Sequence, residues 1–286
     1  MNSKKQNIIN AAYALFINKG YNASSIQDIL DEAGVSKGTF YNYFTSKTEC
    51  LMAIMDSIGS EIRQKRMAAA ADKPINDPQV LADQLSIRIQ LNQEKNLFSL
   101  YESIFYSQDK ELKEFSKGTY LKELDWLTSR IIDIFGKEAE PYALDNAAIL
   151  HGSIQQLVHI WKLTSNEDLP TDRLAAFVVR RLEVSIASQI ASGERFIQAM
   201  ELSPEKMGEN LTLEELGTQL DTYSRLLEED EETRQLISFL AEELHLEKPR
   251  KAVVQSVLGT LANNVPHEAE ILILLEQVWK KVAKLE

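Results

Sequence analysis

Residues 24–47, SSIQDILDEAGVSKGTFYNYFTSK, constrain the chain more than any other stretch, because they read as two short helices joined by a three-residue turn. Ser24 and Ser25 can accept the orphan backbone N–H groups that open a helix, and Ile26, Ile29, Leu30 and Ala33 then fall on one apolar face. Gly34 ends that helix, where left-handed backbone is cheap only for glycine, and Val35 plugs a steep junction. Ser36 can cap a second helix in which Phe40 and Phe44 return to the core while Lys37, Thr39, Tyr41 and Asn42 lie largely outside. A cation, a hydroxyl, a phenol and an amide on one short face suit the groove of a nucleic acid. Gly38 lets the backbone come close to a sugar-phosphate edge, and Lys47, opening the next helix, can meet a phosphate.

A net charge of −12 argues against a polyanionic partner until its distribution is read. Residues 1–66 hold eight Lys or Arg and six Asp or Glu, a net of +2, so the remaining 220 residues carry −14. Affinity for DNA must then come from local contacts on the N-terminal module, with the acidic body facing away. The single cysteine, Cys50, excludes an intrachain disulfide and a cysteine cluster for zinc, and beside Leu51 it reads as a buried structural thiol. No basic and apolar leader opens the chain, and no apolar run approaches the roughly 18 residues that span a bilayer. A cytoplasmic protein without a membrane partner is the expectation.

Helical periodicity dominates, and hairpin signals between alternating apolar runs are absent, so the fold class expected is all-α. Helices are expected at about 46–70, 78–93, 95–107, 110–135, 140–165 and 170–200, then near 212–230 and 231–247, with two more separated at Pro266. The four histidines, His151, His159, His245 and His267, are scattered without a nucleophile or a metal cluster, and no catalytic or dinucleotide fingerprint occurs. No enzyme activity, metal or cofactor is expected.

The string AGVSKGTFYNYFTSK, preceded by Ile8, Ala11, Ala12, Leu15, Phe16, Gly20 and Tyr21, resembles the TetR family of bacterial transcriptional regulators over roughly residues 5–55. Leu30 departs from the small residue usual there. The resemblance implies phosphate contacts from Ser25, Asn42, Tyr43 and Lys47, base-edge contacts from Gln27, Lys37, Thr39 and Tyr41, and close backbone approach at Gly38. The chemistry agrees: lysine can donate to guanine, glutamine can pair with adenine, and a threonine or tyrosine edge can lie against a thymine methyl.

The same resemblance implies a helix-turn-helix domain at 1–48 and a ligand-binding and dimerisation domain at 49–202. Residues 203–286 are left as an additional helical region with a net charge of −8. It further implies a homodimer on double-stranded, palindromic operator DNA, acting as a repressor, often of efflux or detoxification genes, and released by a small organic effector. The stretches Ala147, Ala148, Leu150, His151, Ile154, Leu157, Val158, Trp161 and Leu174, Phe177, Val178, Arg181, Val184, Ile186 are striped for a four-helix dimer bundle, with an intrachain core as the other use of the same residues. Phe98, Tyr101, Phe105, Trp126, Gln155 and His159 offer aromatic walls and polar handles for an effector, with Tyr106 and Trp161 nearby in sequence. Residues 203–286 are open to another reading, a DNA-bound scaffold that recruits a protein.

Overall fold

Twelve α-helices and one 3-10 turn, with no strand, make up the regular structure among the residues that the computed structural model describes: 3–97, 100–101, 104, 109–197, 211–227, 231–265 and 269–285. In chain order they are α1 (Ser3–Asn18), α2 (Ile26–Ala33), α3 (Lys37–Tyr41), α4 (Lys47–Ala68), α5 (Pro78–Glu94), α6 (Lys110–Phe135), α7 (Ala143–Thr164), α8 (Thr171–Ser192), α9 (Leu213–Leu226), α10 (Glu231–Leu244), α11 (Lys251–Asn264) and α12 (Ala269–Ala283). The all-α expectation holds, and the breaks fall where the sequence places them. Pro78 opens α5, Pro141 sits in the 3-10 turn Lys137–Tyr142, and Pro170 precedes α8. The helix expected at 95–107 lies mostly outside the described residues, as do Phe98, Phe105, Tyr106, Pro266 and His267.

Two compact units divide the chain, Met1–Gly59 with Ile89–Tyr120, and Ser60–Arg88 with Leu121–Glu286. The helices α4, α5 and α6 each pass from one into the other. The first unit closes around Ile8, Ala12, Phe16, Ile29, Phe40 and Leu51, all without exposed surface. Cys50 is equally buried, and burial pushes its thiol up to about 12, so it is an inert filler of this core.

In the second unit a buried charge cluster joins α4, α5 and α6. The Arg66 guanidinium lies 3.6 Å over the Trp126 ring and pairs with both carboxylate oxygens of Glu123 at 2.8 and 3.1 Å. Arg88 pairs with the same carboxylate. Burial opposes ionisation of Glu123, but the charges of Arg66 and Arg88 prevail and hold it at about 2. Nearby, burial first and the Arg88 charge second lower His151 to about 4, keeping it neutral at ordinary pH. Such a cluster needs every partner, since a lone buried charge would be strongly destabilising.

The four C-terminal helices share one apolar core with Met67 and Ala70 of α4 and its exit, and with Ile75 and Val80. Trp279 Nε1 donates to the Ala70 carbonyl at 3.1 Å, and Gln64 donates to the Val265 carbonyl at 3.3 Å. Lys280 of α12 donates to Ser129 of α6 at 3.0 Å, and Lys284 pairs with the buried Asp133 of α6 at 2.9 Å. The described helices of this region thus share their core with the end of α4. Gly217 marks a close approach within it, because a Cβ there would come 2.7 Å from the His245 ring.

No described helix is long and apolar enough to cross a membrane, and the described residues hold no group of three or more His, Cys, Asp or Glu placed to bind a metal ion.

Candidate nucleic-acid interface

The helix-turn-helix is held by short-range caps that leave its outer side chains exposed. At the start of α2, Ser25 Oγ accepts the Asp28 N–H at 3.1 Å while the Asp28 carboxylate accepts the Ser25 N–H at 2.7 Å, a reciprocal capping box. Lys19 pairs with the same carboxylate at 2.8 Å. The Lys19 contact first and the Ser25 N–H second keep Asp28 ionised well below the usual carboxylate range. Gly34 closes the helix in left-handed backbone, φ 63°, with its N–H on the Leu30 carbonyl. From α1, the Asn7 side-chain amide donates to the Ala33 carbonyl at 2.7 Å, satisfying another group at that end.

Ser36 then caps α3, accepting the Thr39 N–H at 3.2 Å. Phe40 is fully buried and Phe44 nearly so, with ring centroids 5.7 Å apart. Their burial turns the other face of α3 outward: Lys37, Gly38, Tyr41 and Asn42 are exposed, and Thr39 and Tyr43 half-buried. Ser25 and Gln27 are exposed at the start of α2, where Gln27 also donates to Asp31 at 2.8 Å. These residues share one small module, as expected from the sequence.

Lys47 differs. Its ammonium donates to the carbonyls of Tyr21 and Ser24, each at 2.8 Å, and lies 4.2 Å over the Tyr21 ring. Desolvation lowers its pKa, with the Asp28 charge acting the other way. Two of its three N–H donors thus fasten the α1–α2 connection, leaving one for a phosphate.

One chain of hydrogen bonds escaped sequence reasoning. Tyr21 donates to Thr48 Oγ1 at 3.1 Å, and Thr48 donates to Asp109 at 2.8 Å. Asp109 meanwhile caps α6, accepting the N–H groups of Glu111 and Leu112 at 2.9 and 3.3 Å. In the sequence Asp109 reads only as a helix break. Nothing local signals a partner 61 residues away.

Of the residues expected to line an effector pocket, Phe98 and Phe105 lie outside the described residues. Tyr101 is half-buried, Trp126 is covered by Arg66, and Gln155 and His159 are exposed on α7. Helices α7 and α8 run antiparallel, tied near one end by an Asn146–Gln189 hydrogen bond. Leu150, Val158, Val178 and Ile186 of the expected dimer stripe belong to the chain's own core, while Phe177 and Val184 are 43% and 62% exposed. Phe177, Ile149 and Leu157 border a mainly apolar cavity of about 310 Å³ on that face.

Residues 8–54 match the family described as bacterial regulatory proteins, tetR family. The chain is 25% identical over 279 residues to the HTH-type transcriptional regulator YerO of Bacillus subtilis (strain 168), covering 95% of this chain and 94% of that protein. It is 24% identical over 293 residues to YuxN of the same organism, another HTH-type transcriptional regulator, covering 92% and 94%. Among solved structures, a TetR-family transcriptional regulator from Mesorhizobium loti superposes with a TM-score of 0.50 at 22% identity, over 65% of this chain and 96% of that one. That likeness speaks for the fold.

Proposed function

This chain is a transcriptional regulator with a TetR-type DNA-binding domain, and from that premise we propose that it acts as a homodimeric repressor of a palindromic operator, released by a small organic effector. The observation that carries the reading is the pairing of an exposed polar face on α3 with an exposed apolar strip on α7 and α8. Ile149, Ile160, Leu163, Phe177, Val184 and Ile190 are all substantially exposed on these two neighbouring helices. Apolar side chains left exposed on a helix pair favour association, and twofold association of two helix pairs produces a four-helix bundle. Two readers about one DNA turn apart can then read a palindrome that one short helix cannot hold.

In this reading Lys37, Thr39, Tyr41 and Gln27 meet base edges, and Ser25, Asn42, Tyr43 and Lys47 meet phosphates, with Gly38 allowing close approach. Effector binding acts through α4, which begins in the reader's unit and ends in the other. The effector can shift DNA binding only by its differential affinity for the two reader spacings, on the order of 1–3 kcal/mol. Efflux or detoxification genes are the targets in keeping with such an effector.

Sedimentation equilibrium and operator selection test the proposal together. The wild type is expected to be a dimer that selects inverted repeats, and Phe177→Glu with Val184→Glu to give a folded monomer with only weak, half-site binding. A wild-type monomer that binds single half-sites with full affinity would overturn it.

A further inference from the structure

The cavity of about 310 Å³ between α7 and α8 is walled mainly by Ile149, Leu150, Leu157, Phe177, Val178 and Leu182. Its size falls at the small end of the range for organic ligands, about 300–1,000 Å³, and its walls offer an apolar seat. Four polar side chains of the lining stand where water can serve them: Gln156 and Arg181 are exposed, and Ser153 and Ser185 half-buried. The fifth, Asn146, is only 1% exposed.

The neighbours of Asn146 fix which way its amide is turned. Nδ2 donates to the Tyr142 carbonyl at 2.8 Å and to the Gln189 side-chain oxygen, and a backbone carbonyl can only accept, so the nitrogen belongs on that side. Tyr142 lies one turn before Asn146, whereas Ile149, Leu150 and Ser153 of the cavity wall follow it. Oδ1, on the other branch of the planar amide, is thereby left on the cavity side, buried and without a hydrogen-bond partner. A buried carbonyl oxygen with no donor costs stability, and native structures hold few of them. Reaching this one takes a molecule that enters the cavity, because Asn146 presents almost no surface of its own.

We propose that this cavity binds a compact apolar molecule carrying one hydroxyl donor, of the phenol kind, with its O–H on Asn146 Oδ1 and its hydrocarbon against Leu150, Phe177 and Leu182. A neutral donor suits the place better than an ammonium, whose charge would have to be desolvated among aliphatic walls. The site is built within one chain, so it does not require the dimer proposed above. A second copy on the same face is its rival occupant, and the experiment separates the two.

Thymol and its methyl ether share one hydrocarbon skeleton and differ in the donor, and both are titrated calorimetrically into the full-length protein. Thymol is expected to saturate one site per chain, about tenfold more tightly than the ether, which is what one hydrogen bond contributes. Asn146→Leu should erase that preference, and Ser153→Trp should abolish binding of both by filling the cavity from its half-buried wall. Circular dichroism and melting show which variants are folded; if Asn146→Leu is not, the wild-type ratio and Ser153→Trp decide. No saturable site for thymol, equal affinity for the ether, a preference that survives Asn146→Leu, or binding that survives Ser153→Trp overturns the proposal. Leu163 and Val184 are exposed and outside the lining, so Leu163→Glu with Val184→Glu gives a protomer with the cavity intact. Thymol binding to that variant and not to the wild type would give the cavity to the second copy and overturn the ligand site. Sedimentation of the wild type, which decides the dimer, leaves the titration standing either way.

Discussion

The reader and the four C-terminal helices are made of the same material, short amphipathic helices around aliphatic and aromatic cores, yet they use their polar side chains in opposite ways. On the outward face of the reader, polar groups close caps within three residues of themselves, Ser25 with Asp28 and Ser36 with Thr39, and Lys37, Tyr41 and Asn42 stay exposed. In the C-terminal helices, polar groups reach to remote partners, Trp279 to Ala70 across 209 residues and Lys280 to Ser129 across 151. One region is organised to present side chains and the other to grip. Substitutions in the first should therefore change recognition at constant stability, and in the second stability at constant recognition.

The strongest way to break that contrast is Trp279→Ala. The ring is 2% exposed and its N–H is bonded to Ala70, so truncation should cost about 3–5 kcal/mol for the cavity and about 1 kcal/mol more for the orphaned carbonyl. Urea unfolding should show that loss, while the ranking of operator variants by the surviving folded protein stays as in the wild type. A loss below about 1 kcal/mol would mean that the C-terminal helices do not share a core with α4.

Next in size is Glu123→Gln, which leaves Arg66 and Arg88 without their carboxylate and should cost about 3 kcal/mol or slightly more. Its pH counterpart follows from the two depressed groups. Glu123, at about 2 when folded, contributes stability that is present above its ordinary value and lost as pH falls towards 2. His151, at about 4 when folded, is protonated first in the unfolded chain, so stability already declines as pH falls below the ordinary histidine value of about 6.5. Thermal melting of the wild type should drop continuously from there into acid, and His151→Gln should remove only the upper part of the decline. A melting temperature flat between about pH 6.5 and 4 would rule out a neutral, half-buried His151.

How much of this was legible in the sequence follows the same division. The reader could be read because its determinants are local: serine, then aspartate or threonine three residues on, glycine at the helix end, and two phenylalanines four apart. The helices of the body and their proline breaks were legible for the same reason. What Leu216, Leu258 or Trp279 would pack against was not, because an amphipathic stripe states that a face is buried without naming the partner. The Thr48–Asp109 bond and the Arg66–Glu123–Arg88 cluster were hidden for that reason too. Lys47 was read by its type as a phosphate ligand, and only the placement of two carbonyls beside it reveals its work as a tether.

Lys37 and Lys47 give the finest test of the contrast, because both lie in the reader and only one obeys the rule fully. Lys37 is exposed, with its ammonium 6.0 Å from the Tyr41 ring centroid. Lys37→Ala should leave melting unchanged, cost about 1–3 kcal/mol of operator affinity and relax preference at one base position. Lys47→Ala removes a charged donor from two carbonyls, so it should lower stability by about 1 kcal/mol before DNA is added. If its remaining N–H meets a phosphate, affinity should also fall about equally for all sequences, and the salt dependence should lose about one ion's worth of slope. Lowered melting with an unchanged salt slope would make Lys47 a tether alone. The grip seen in the C-terminal helices would then extend, in miniature, into the reader itself.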